Sequence, residues 1–107
     1  MDAKAFSMDE VIAAHAAGDA MWHEFLRVPE LSMGLYVIPA GGDDPQSPHN
    51  EDEVYYIVSG RGVLAAGDQE FPAQPGSILF VAKQVPHKFQ DVTEELRVLV
   101  FFAPAHT

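Results

Sequence analysis

Hydrophobic positions recur at helical spacing in one stretch: Met8, Val11, Ile12 and His15 form a stripe within the run from Met8 to Ala17. Ser7 stands where a helix cap belongs, Glu10 follows three residues later to complete a capping box, and Gly18 supplies a stop. Beyond Gly18 the period falls to two. Trp22–Val28 and Leu31–Ile38 read as strands divided by Pro29 and Glu30, and a loop rich in proline and glycine runs from Pro39 to Pro48. Short strands then follow at Glu53–Val58, Gly62–Ala66, Gln69–Pro72, Ser77–Ala82, His87–Val92 and Leu96–Ala103. Many short strands with frequent turn signals predict an all-β sandwich or barrel rather than βαβ units. The helix is expected over residues 8–17 and the barrel over about 21–104, one domain spanning 1–107.

The final strand is apolar on both parities, which predicts that both of its faces are covered. A chain of 107 residues has little material for two faces, so a homodimer is expected. Acidic residues outnumber basic ones 16 to 6, giving a formal charge of −10. Such a surface repels phosphate backbones and anionic lipid, so nucleic acid and membranes are poor partners. No segment approaches the ~20 apolar residues that span a bilayer, and no amino-terminal leader pattern is visible, which makes a cytoplasmic protein the expectation. Cysteine is absent, which removes disulfides, zinc–thiolate sites and thiol nucleophiles together.

Three of the five histidines have ordinary explanations. His15 belongs to the helix, His23 alternates along a strand, and His106 lies in a tail expected to fray. His49 differs by its company. If the stretch from Ser47 to Ile57 is extended, Ser47, His49, Glu51, Glu53 and Tyr55 share one face. Carboxylates gathered there need a cation or a hydrogen-bonded partner if they are buried. A solvated acidic face is the plain alternative. His87 shifts the balance, because it opens a strand directly behind the turn of Lys83 to Pro86, where its orientation is fixed.

The two stretches resemble the paired motifs of the cupin family. Gly41, His49, Glu53 and Gly60 fall on the places of the first motif, and His87 on the histidine of the second. The likeness covers roughly residues 32 to 103 and implies a jelly-roll β-barrel with a short N-terminal helix. Ser47 stands where the first motif has its first histidine. Ala82, Lys83 and Gln84 replace the Pro-x-Gly of the second motif, and Asp91 replaces its closing asparagine.

The resemblance implies one divalent transition metal, iron, manganese, nickel, copper or zinc, held by His49, Glu53 and His87. Two imidazoles and a carboxylate form a competent donor set for such ions. Gln46, Ser47, Glu51 or a water molecule would take the vacant place of the missing histidine. The family's usual activities are those of dioxygenases, isomerases and lyases on small organic molecules. Tyr36, Tyr55 and Phe89 are expected to line the pocket, and Glu51 and Tyr55 are the candidates for proton transfer. The alternative is a non-catalytic module that binds a small ligand with weak metal affinity or none, which the Ser47 departure favours.

Overall fold

The computed structural model describes residues 3–45 and 48–107. Helix α1 spans Met8–Ala16, and the strands are β1 (Trp22–Val28), β2 (Leu31–Ile38), β3 (Asp52–Ala66), β4 (Gln69–Ala73), β5 (Ile78–Val81) and β6 (His87–Ala103). The Ser7 hydroxyl accepts the Glu10 amide at 3.1 Å, so the cap forms where the sequence places it. Only Val11 of the helical stripe is fully buried; Met8, Ile12 and His15 are half-buried against β1 and β2.

All strand pairs are antiparallel. The order is β1-β2-β6-β3-β4, with β5 on the free side of the first half of β3. The long strands β3 and β6 pair from Asp52↔Ala103 to Ala66↔His87 and form the spine of the barrel. The sequence predicts each of them as two strands, divided between Val58 and Gly62 and between Val92 and Leu96. The sheet instead runs through, absorbing the breaks as register shifts between Ile57 and Val63. Gly60 sits at φ +95, and a Cβ there would meet the Glu95 carbonyl oxygen at 2.1 Å. Asp91 takes φ 51, a left-handed conformation that aspartate tolerates better than most residues.

The shifts reverse parity. Glu53, Tyr55 and Ile57 point inward before them, whereas Leu64 does so after them. The core gathers Ile38, Tyr55, Ile57, Leu64, Phe89, Leu96, Val98 and Val100, all nearly inaccessible. On the outer face of the sheet, Ile78 is 72% and Phe80 62% exposed, beside the half-covered Val54 and Phe101. β6 is therefore covered on its inner face and only partly on its outer one. No helix is long and apolar enough to cross a membrane among the described residues.

Candidate metal centre

Two loops bring the site together. The first, leading into β3, carries His49 and Glu51; the second, leading into β6, ends at Pro86. The Gln84 amide donates to the His49 carbonyl at 2.8 Å and the Lys83 amide to Asp52 Oδ1 at 2.9 Å. Gln84 is able to make this turn because it adopts φ 66. The buried Asp44 pins the preceding loop from inside, accepting the Tyr36 hydroxyl at 2.6 Å and the Phe89 amide at 2.7 Å. Burial and that bond push the Tyr36 phenol up, so it stays a donor.

His49, Glu53 and His87 converge within 4.8 Å. Glu53 Oε1 lies 2.8 Å from His87 Nε2 and 3.6 Å from His49 Nε2. Ligand atoms on a tetrahedral ion with bonds of 2.0–2.1 Å stand about 3.3 Å apart, within the range these two distances span. The Glu53–His87 distance suits an ion pair, but the orientation is not that of a hydrogen bond. Both Glu53 oxygens and His87 Nε2 are buried with no hydrogen-bond partner. Such orphans are costly in an interior, and a cation seated among them removes the cost.

The far nitrogen of His87, Nδ1, is 2.8 Å from the Val85 carbonyl, which sets its tautomer and leaves Nε2 facing Glu53. Burial by itself depresses the His87 imidazole, but Glu53 and the Val85 carbonyl more than offset it, and its pKa rises. His49 shifts the other way, because burial outweighs the pull of Glu53.

Of the weaker candidates, Gln46 and Ser47 lie outside the described residues. Glu51 is 1% exposed and on the same face as Glu53, but it is turned toward the chain end. His106 Nδ1 meets Glu51 Oε1 at 2.9 Å, and the Thr107 hydroxyl donates to Glu51 Oε2 at 2.9 Å. These bonds outweigh burial and hold the Glu51 carboxyl below its ordinary range.

The tail expected to fray is therefore tied down. The Ala105 amide donates to the Pro29 carbonyl at 3.2 Å, the His106 amide to Ser32 Oγ at 2.9 Å, and the His106 ring stacks on Phe102 with centroids 4.4 Å apart. Sequence reasoning missed His106; the one available signal was a buried-parity Glu51 with no assigned partner.

A cavity of about 240 Å³ opens beside the centre, lined by Trp22, Tyr36, His49, Val100, Phe102 and His106. Tyr36 lines it as expected. Tyr55 and Phe89 pack edge-to-face in the core instead, with centroids 5.0 Å apart, and are not among its lining residues. The walls are mostly apolar and aromatic, with His49 the link between cavity and centre.

The family model for the Cupin domain matches residues 34–102. An uncharacterized protein of Streptomyces coelicolor is 46% identical over 101 residues, covering 94% of this chain and 96% of its own. An RmlC-like cupin family protein of Methanocaldococcus jannaschii, a double-stranded β-helix, superposes with TM-score 0.70 at 23% identity, covering 80% of this chain and 84% of its own. The DMSP lyase of Ruegeria pomeroyi superposes with TM-score 0.66 at 23% identity, over 71% of this chain and 39% of its own.

Proposed function

The chain belongs to the cupin family, and from that premise we propose that it holds one divalent transition metal through His49, Glu53 and His87 and acts on a small organic molecule in the adjoining cavity. One observation carries this reading: the two Glu53 oxygens and His87 Nε2 are buried, convergent and without hydrogen bonds. Iron, manganese, nickel, copper and zinc all suit this donor set. An ion held by His49, Glu53 and His87 would supply Lewis acidity to the cavity.

The chain's own residues do the rest. Trp22, Phe102 and Val100 receive the apolar part of the ligand and exclude water around it. Tyr36, its hydroxyl committed to Asp44, offers the cavity a fixed ring face. The reaction type we propose is that of a lyase, isomerase or dioxygenase. A protein that binds metal and ligand but turns nothing over would be the binding module instead.

The test is metal content after gel filtration without chelator or affinity-tag nickel, for wild type, Glu53→Gln and His87→Ala. About one ion per chain, lost in both variants, is the expected result. No retained ion after reconstitution under reducing conditions overturns the proposal.

The homodimer is part of this proposal. The exposed strip of Ile78 and Phe80, continuous with Val54 and Phe101 and bordered by Asp52, is apolar, and an apolar surface suits it as a cover. A second copy presents the same strip and satisfies that condition by two-fold symmetry. Sedimentation should give a dimer for wild type and a monomer for Phe80→Asp; a monomeric wild type overturns it.

A further inference from the structure

A second group of metal-ligating side chains includes His49. His49, Glu51 and His106 also place ligand atoms within 4.8 Å of one another. The His49 ring belongs to both groups, its centroid 5.3 Å from that of His87 and 4.9 Å from that of His106. We propose that His49, Glu51 and His106 form a second, outer seat for a divalent transition metal such as Zn²⁺ or Co²⁺, reached from the cavity. The outer seat shares His49 with the centre proposed above and otherwise stands on its own residues.

The donor chemistry fits, since two imidazoles and one carboxylate are what these ions take. Pre-organisation fits as well. The tail bearing His106 is fixed by the bonds from its own amide to Ser32 and from the Ala105 amide to Pro29, and its ring is braced on Phe102. The buried Glu51 carboxylate meets His106 Nδ1 through Oε1 and accepts the Thr107 hydroxyl through Oε2, and a cation seated between Glu51 and His106 replaces the first of these contacts.

The two seats differ in access. The His87 side chain is 1% exposed and that of His106 is 29% exposed, at the cavity wall. The outer seat therefore exchanges its ion more readily and binds it more weakly, and gel filtration strips it.

The experiment disables the inner seat with Glu53→Gln and His87→Gln together and titrates the chain with excess Co²⁺, following the visible ligand-field absorption. Circular dichroism checks the fold, and His87→Gln alone is read the same way should the pair not fold. The expected result is about one equivalent of Co²⁺ still bound, lost when His106→Ala is added. No uptake in the folded inner-seat variant, or uptake that survives His106→Ala, overturns the outer seat. Wild type that retains its ion while the inner-seat variant takes none removes this inference alone; wild type that takes none removes both.

Discussion

Glu51 and Glu53 stand two residues apart at the entrance to β3, on one face, and are 1% and 2% exposed. Around Glu51 both carboxylate oxygens are bonded, one to His106 and one to Thr107. Around Glu53 neither is, though two imidazole nitrogens crowd within 3.6 Å. One region is satisfied by the chain's own bonds, and the other keeps buried oxygens that no hydrogen bond satisfies. Equal burial thus goes with two environments: Glu51 fastens the C-terminal residues to the barrel, whereas Glu53 would hold the cation of the function proposed above.

The largest effect that would sharpen this contrast is on metal affinity. Glu53→Gln should weaken retention of the ion by more than the ~10–100-fold that changes around a ligand typically cost. In the metal-free protein the same change should cost less stability than Glu51→Gln, because neither Glu53 oxygen gives up a hydrogen bond and only its ion pair with His87 is lost. A large drop in the metal-free melting temperature would break the comparison.

Glu51→Gln should do the reverse. It loses charge-assisted bonds, so about 1–3 kcal/mol of stability should go in urea unfolding, with the tail released to proteolysis. The Glu51 carboxyl is held below its ordinary 4.5 in the folded state, so its contribution is present above that value and is lost as pH falls through the folded one. Glu51→Gln should flatten that acid limb.

Metal uptake should carry a pH signature of about tenfold per unit for one competing proton. His87 holds its proton above the ordinary imidazole value of 6.5, and a ligand must be deprotonated. Affinity should therefore fall as pH drops through and below the raised His87 value, and level off above it. Calorimetry between pH 6 and 9 reads this, and a pH-independent affinity would contradict it. The smallest effect is at the helix start, where Ser7→Ala should cost about 1 kcal/mol through loss of the Glu10 amide bond.

Much of the inner region is legible in the sequence because it follows local rules. Alternation carries Glu51, Glu53 and Tyr55 inward together, and the turn of Lys83 to Pro86 delivers His87 to the same volume. β1 and β2 have the boundaries their alternation predicts, and α1 ends one residue sooner than expected. Where local rules mislead, the reason is a long-range contact. Gly60 and the polar run of Thr93, Glu94 and Glu95 read as breaks between strands, but the pairing of β3 with β6 carries the chain through both with shifts of register.

Phe89 has the inward parity expected of a pocket residue, yet inward means the packed core at that depth of the barrel. His106 was beyond the reach of pattern altogether. No period extends past Ala103, and its place depends on Pro29, Ser32, Glu51 and Phe102, residues 4 to 77 positions away.

The orphaned atoms around Glu53 and His87 are, on the function proposed, the ligands of an ion. The most direct measurement is the metal content of chelator-free protein after gel filtration, wild type beside Glu53→Gln. About one ion per wild-type chain and none per variant chain is the result this account predicts. Equal content in the two, or no ion in wild type after reconstitution, would contradict it.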